Sequence, residues 1–405
     1  MSFENIAEKL MKLLEETDEI TLHNVDLVGK KLEFEILPQI AKQAAASQYQ
    51  MMQQYAGMQP AVQQKRLTKA EWIEVKFPEI KDDFDGKIEE VVFKRSNGTK
   101  VVIGGEVTLP FVTIFGKENP HRPAVTLDVF DYGRSFPKPI KKMYKDVYDD
   151  QVAWAERAES FGADMLTFHC LATDPGLKDR PVKKDGKIYA KMLDAVKVPI
   201  IIGGSGNKKK DPILYEELGR IAHEDGSKTM LSSADKETWE RVIPTAKKYD
   251  QNVLLWTQLD INDQIKLNKD VLGTDFPRDH IVMDPTCATL GYGLEYSYSM
   301  YQRMRIAGLL GDETLSFPMS AGTTNAWGAR EAWMSTKKAP QWGDIFKRGP
   351  LWEVTTALSM SMMGLDLAMM FHPLAAQTFK NICLDFFAES KKVLPPIEEW
   401  VTMKA

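Results

Sequence analysis

The sequence predicts an α/β protein, a (β/α)8 TIM-type barrel with an N-terminal α+β extension, and three observations predict it. From about Arg122 to Ser390, short apolar runs alternate with helix-patterned stretches, which is the rhythm of parallel β/α units. The first hundred-odd residues do not share that rhythm. Polar residues and glycines gather at or just after the C-terminal ends of the apolar runs, where barrels of this kind build their sites.

In chain order, the extension (1–87) opens on a short amphipathic helix from Glu4 to Glu16 and a strand around Lys31 to Ile36. A Gln-, Ala- and Met-rich segment from Ile40 to Gln64 follows, of good helix formers until Gly57 and Pro60 stop the helix. Two readings stand for that helix: an adaptable docking surface rich in methionine, or a strap across the barrel. Residues 88–121 hold strands Ile88 to Lys94 and Lys100 to Ile103, joined by the turn Ser96-Asn97-Gly98, a hairpin that closes the barrel base.

The barrel (122–405) takes its strands from Ala124 to Val129, Asp164 to Phe168, Pro199 to Ile202, Thr229 to Ser232, Val253 to Thr257, His280 to Met283, Leu315 to Met319 and Leu367 to Phe371. Helices such as Val152 to Phe161, Ile213 to His223, Lys236 to Tyr249, Leu294 to Leu309 and Leu351 to Met363 lie between them, and Ala375 to Phe387 closes the ring. An open, doubly wound sheet uses the same alternation. Eight units with right-handed crossovers in so short a stretch match closure better.

Composition excludes several functions. A net charge of −5 and a pI near 5.8 leave no basic excess for nucleic acid, and Lys208 to Lys210, the longest basic run, reads as a solvated loop. No apolar run reaches membrane-spanning length, and the acidic N-terminal helix lacks the order of a signal peptide, so a cytoplasmic location is expected. Cys170, Cys287 and Cys383 are far apart and form no C-x-x-C pair, so structural thiols are expected rather than a metal or cluster site.

The strand-end residues carry the candidate chemistry. Gly203-Gly204-Ser205-Gly206-Asn207 either makes a tight turn or offers backbone N–H groups to an anion or a planar ligand. Asp260 and Asn262 after one strand, and Asp284 at the end of the next, either hydrogen-bond a pterin-like ring or corrinoid amide arms, or cap the following helices. His169 and His372 sit near the mouth outside any metal template and read as structural histidines. Tyr292, Tyr296, Tyr298 and Tyr301, with Trp327, Trp333, Trp342 and Trp352, suit a large flat ligand, a protein interface or, for some of them, the core. No nucleophile constellation has local support.

The run from His280 to Ser320, HIVMDPTCATLGYGLEYSYSMYQRMRIAGLLGDETLSFPMS, strongly resembles the small (delta) subunit of the corrinoid iron–sulfur protein of the CO dehydrogenase/acetyl-CoA synthase system. So do GGEVTLPF at Gly104, RPAVTLDVFD at Arg122, GADMLTFHCLATDPG at Gly162, LDIN at Leu259, RGPLWEVTTA at Arg348 and His372-Pro373. The segment before Phe84 resembles the archaeal multienzyme version more than the shorter bacterial one.

The resemblance implies a non-catalytic or co-catalytic subunit that pairs with a large (gamma) subunit carrying the iron–sulfur cluster and the cobamide. The pair would shuttle a methyl group between a methyl-tetrahydropterin, or its methyltransferase, and acetyl-CoA synthase. Three scattered cysteines and the missing D-x-H-x-x-G cobalt-ligand pattern fit that division. On this reading the mouth covers the partner's corrinoid, and position on the barrel makes Gly291, Tyr292, Gly293, Thr323, Asn325 and His372 the candidate contacts, with Asp260, Asn262 and Asp284 as further ligand-binding candidates. The competing expectation is a stand-alone pterin-dependent methyltransferase barrel.

Overall fold

The computed structural model describes residues 84–110, 119–132 and 136–386. The helices expected at Glu4 to Glu16 and Ile40 to Gln64, and the strand expected around Lys31, lie outside these residues. The chain first makes an antiparallel hairpin, β1 (Glu90–Lys94) and β2 (Lys100–Gly104), in register Glu90 to Gly104. Asn97 accepts the Thr99 amide at 2.8 Å, and Gly98, at φ 90°, turns the chain.

Eight parallel strands then close on themselves: β3 (Ala124–Phe130), β4 (Met165–His169), β5 (Ile200–Gly203), β6 (Met230–Ala234), β7 (Asn252–Trp256), β8 (Ile281–Asp284), β9 (Met319–Gly322) and β10 (Leu365–Met370), with β10 pairing both β9 and β3. Around them run α1 (Lys138–Tyr144), α2 (Gln151–Ser160), α3 (Val182–Ala195), α4 (Asp211–Asp225), α5 (Trp239–Tyr249), α6 (Ile261–Leu272), α7 (Leu294–Leu309), the single turn α8 (Arg330–Trp333), α9 (Ile345–Ser361) and α10 (Pro373–Phe386). The fold is therefore the (β/α)8 barrel. None of the described helices is long and apolar enough to cross a membrane.

Strand boundaries match the sequence expectation to within two residues except at β9. Leu315 to Met319 was expected as the seventh barrel strand, yet pairing begins at Met319 and runs to Gly322. Leu315 and Phe317 are buried because the approach to the strand packs them, with Arg278 lying 4.8 Å over the Phe317 ring. The paired segment, Met-Ser-Ala-Gly, has weak strand propensity and is held by its neighbours. His280 was expected to start β8; it lies in the 3-10 turn Arg278–His280 just before it, on the base side of the barrel.

The hairpin packs on the N-terminal end of the barrel. Val91, Phe93 and Ile103 form one apolar cluster with Ala124, Met165, Ile201, Met230, Leu254, Val282 and Leu367, several of them among the first residues of the barrel strands. Polar contacts pin it: Lys94 and Lys228 exchange backbone hydrogen bonds at 2.9 and 3.0 Å, and Asn252 Nδ2 donates to the Val92 carbonyl at 2.9 Å. Nearby, the Arg305 guanidinium is buried between Glu106, at 2.8 Å, and Asp366, and Asp366 also accepts the Met319 amide at 2.7 Å.

Candidate functional site

At the C-terminal mouth the strand pleat turns polar side chains inward. Alternation along β3 puts Ala124 in the base cluster and carries Thr126 and Asp128 up the same face. Thr126 Oγ1 and Thr167 Oγ1, on β3 and β4, lie 2.8 Å apart, one layer below the mouth. Above them Asp128, 1% exposed, accepts the Thr324 hydroxyl on Oδ2, while Oδ1 lies 3.1 Å from His169 Nε2. The His169 ring stacks on Phe130, with centroids 4.6 Å apart and planes 12° from parallel. Gly203 on β5 is what gives the ring room: a Cβ there would stand 2.8 Å from His169 Nδ1.

A second buried carboxyl closes the other side. Asp284 at the end of β8 accepts Ser320 Oγ at 3.0 Å and the Thr286 amide at 2.9 Å, and burial pushes its pKa up to about 7. At neutral pH it therefore sits near the point of gaining or losing a proton, which a solvated aspartate does not.

The loop after β8 ends in Gly291 and Gly293, at φ 78° and 97°, and Gly293 leads directly into α7. This left-handed pair presents Tyr292 to solvent at 55% exposure, with Tyr296 one turn into α7 at 67%. Asn325 is exposed and donates to the Cys287 carbonyl at 3.2 Å, tying the turn after β9 to the loop after β8. Thr323 is buried, its hydroxyl given to the Met369 carbonyl at 2.8 Å. Of the aromatic cluster, Trp333 and Trp342 are exposed as well, whereas Tyr301 and Trp327 are core.

The structure gives other predicted residues structural work. Asp260 caps α6, accepting the Asn262 and Asp263 amides at 2.8 and 3.0 Å, so the helix-capping alternative is the one seen. His372, placed at the mouth by sequence position, is 2% exposed; its Nδ1 accepts the Leu374 amide at 3.2 Å and its ring stacks on Trp327. Burial pulls its pKa down to about 3, so it is a neutral packed imidazole. In the loop 203–207 the Ser205 and Gly206 amides donate to the Asp211 carboxylate at 2.9 and 2.8 Å, so the anion in that cradle is the chain's own. Asp131, Cys170 and Asp185 approach one another as metal ligands would, but the Arg180 guanidinium bridges both carboxylates and is the cation there.

Two residues with large roles at the mouth were not singled out from sequence. Asp128 lies inside a predicted buried strand, and a carboxylate in such a run was the available signal. Glu353, fully buried on α9, accepts Trp327 Nε1 at 2.8 Å and the Phe371 and His372 amides at 2.5 and 3.0 Å, holding the turn after β10. Burial raises its pKa to about 8. Beside the axis, a cleft of about 340 Å³ is lined by Lys208, Asp235, Trp256, Gln258 and Lys266, and an adjoining one of about 260 Å³ shares Lys208, Asp235 and Trp256. None of the nine predicted contact residues lines either.

Residues 90–362 match the family model described as CO dehydrogenase/acetyl-CoA synthase delta subunit. The chain belongs to this family. It is 42% identical over 389 residues to the acetyl-CoA decarbonylase/synthase complex subunit delta of Archaeoglobus fulgidus, covering 93% of this chain and 83% of that one. It is 35% identical to the same subunit of Methanothermobacter thermautotrophicus, over 97% of this chain and 96% of that one. Among solved structures, dihydropteroate synthase of Xanthomonas albilineans with 4-aminobenzoic acid aligns at a TM-score of 0.45 and 13% identity, over 75% of this chain and 99% of that one. Delta-subunit membership puts the mouth just described in the setting of a multi-subunit acetyl-CoA decarbonylase/synthase complex.

Proposed function

We propose that this delta subunit is the barrel half of a corrinoid methyl carrier. A methyl group passes between a methyl-tetrahydropterin and acetyl-CoA synthase in reversible acetyl-CoA synthesis and cleavage. The large (gamma) subunit holds the corrinoid and the iron–sulfur cluster, and the mouth of this barrel covers the corrinoid, in the cytoplasm. The observation that carries the reading is the pair of exposed aromatic side chains, Tyr292 and Tyr296, set beside the mouth of a chain whose relatives are complex subunits.

The donor set fits the periphery of a corrinoid. Its amide arms need hydrogen-bond partners around a flat apolar ring, and Tyr292, the exposed Asn325 and the backbone at Gly291 and Gly293 offer both kinds of surface. When bound, the corrinoid supplies the metal that accepts and gives up the methyl group. This chain's residues position the reactants and exclude water, with Asp128, Asp284 and Ser320 as the polar floor of the mouth. The three cysteines are buried and unpaired, which supports placing the cluster on the partner.

A stand-alone pterin-dependent methyltransferase is the second reading, favoured by Asp284, a buried carboxyl that titrates near neutrality at the barrel axis. The test is purification of the chain alone and with the large subunit, followed by cobalt and iron assays and titration with methyl-tetrahydropterin. Metal in the pair only, with methyl acceptance by the pair only, supports the carrier. Stoichiometric corrinoid absorbance on this chain alone contradicts it, and methyl transfer by this chain alone to free cobalamin favours the second reading.

A further inference from the structure

The contact between Asp128 and His169 is built unlike the other histidine sites of the barrel. His372 is sealed in the core, and His280 lies at the base between Asp250 and Asp279, at 2.8 and 2.7 Å. His169 is the histidine at the mouth whose two nitrogens face different surroundings. Nε2 is buried, 3.1 Å from a buried carboxylate oxygen, whereas Nδ1 lies beside Gly203, where a side chain would crowd it. Phe130 fixes the plane of the ring, and Thr324, by its hydroxyl on Oδ2, fixes the carboxylate. A carboxylate against one nitrogen selects the tautomer that has its N–H there and turns the other nitrogen outward as the exchanging site.

Resting on the methyl-transfer reading above, we infer that His169 is the proton carrier of the mouth: the doubly protonated ring gives its Nδ1 proton to the donor nitrogen as the methyl group leaves and keeps the Nε2 proton beside Asp128, which positions the ring. The N–CH3 bond of the methyl-tetrahydropterin breaks and its electron pair stays on nitrogen. The methyl group is taken up on an electron pair from the nucleophile held by the large subunit. The nitrogen takes the proton from Nδ1, and the imidazole regains one from solvent. In the reverse direction Nδ1 removes that proton, so one residue serves both senses of a reversible transfer. The charged groups around the ring are few. Asp128 faces it from β3, the Asp128 charge helps raise the pKa of Glu353 on α9, and β5 brings only Gly203. The Thr324 hydroxyl is the polar group from the turn after β9.

The test uses the assembled pair with methyl-tetrahydropterin as donor, comparing wild type with His169→Gln, Gly203→Ala and Asp128→Asn. His169→Gln is expected to slow methyl transfer roughly 100-fold or more and to recover in part with added imidazole. Gly203→Ala, which leaves the histidine in place but crowds Nδ1, is expected to slow transfer as well. A readout independent of activity is the nitrogen NMR spectrum of the full chain, with His169 assigned by its loss in His169→Gln. With the ring neutral, the Nε2–H tautomer is expected in wild type and a mixture in Asp128→Asn. An unchanged rate in His169→Gln, or an Nδ1–H tautomer of the neutral ring in wild type, overturns the inference while leaving the carrier reading intact. A wild-type pair that transfers no methyl group overturns both.

Discussion

The two ends of this barrel solve the burial of polar groups in opposite ways. At the base, Arg305 meets two carboxylates and a carbonyl, and an apolar hairpin face covers the strand starts. At the mouth, Asp284 and Glu353 accept hydrogen bonds from neutral groups only, with no cation beside them among the described residues, and burial raises their pKa values. A buried carboxyl beside a cation is tied to the stability of that pair, whereas one held by neutral donors alone can exchange a proton near neutrality.

The largest effect that sharpens this contrast is expected at the base. Arg305→Ala leaves Glu106 and Asp366 as buried carboxylates without their cation, and should destabilise the fold by about 3–5 kcal/mol, read as a lowered thermal or denaturant midpoint. Phe93→Ala, which opens the hairpin plug, belongs at about 3–5 kcal/mol as well. If either variant matched wild type in midpoint, the base would not be the stabilising end.

Asp284 gives a pH-dependent comparison. Its folded pKa, about 7, lies above its usual 3.8, so the native state holds the proton more tightly than the unfolded chain does. The stability this contributes is complete below pH about 4 and is lost as pH rises through 7. Asp284→Asn removes the dependence. The stability of the variant relative to wild type should therefore climb between pH 4 and 7 by up to about 4 kcal/mol, in midpoints taken across that range. A flat difference would mean that the carboxyl is hydrated in solution.

The barrel was legible in the sequence because parallel strands buried on both faces read as apolar runs, and seven of the eight were found where pairing occurs. The seventh slipped because Leu315 and Phe317 carry hydrophobicity into a loop, while Met319–Gly322 pairs through position in the ring. The mouth was legible at the level of strand ends and no finer. Which of Asp260, Asp284 and His372 caps a helix, closes a core or faces the axis depends on side-chain direction. Sequence spacing leaves that undetermined, and Asp260 and His372 went to structural roles. Asp128 and Glu353 act on residues 196 and 18 or more positions away, so no local pattern announced them.

The smallest effect on folding, and a specific one on assembly, is expected at the rim. Tyr292→Ala removes an exposed side chain and should change stability by no more than about 0.5 kcal/mol. Binding to the large subunit, measured by titration calorimetry, should weaken about tenfold. A tenfold loss of binding on substituting an exposed residue of the hairpin instead, such as Lys100→Ala, would reverse the assignment of the two ends.

The central claim is that the mouth is half of a site completed by the large subunit. Hydrogen exchange of the chain, alone and paired, measures it most directly. Protection on pairing should appear in the loops 285–293 and 322–328, with the hairpin at 90–104 unchanged. Protection confined to the hairpin, with the two mouth loops exchanging as in the free chain, would contradict it.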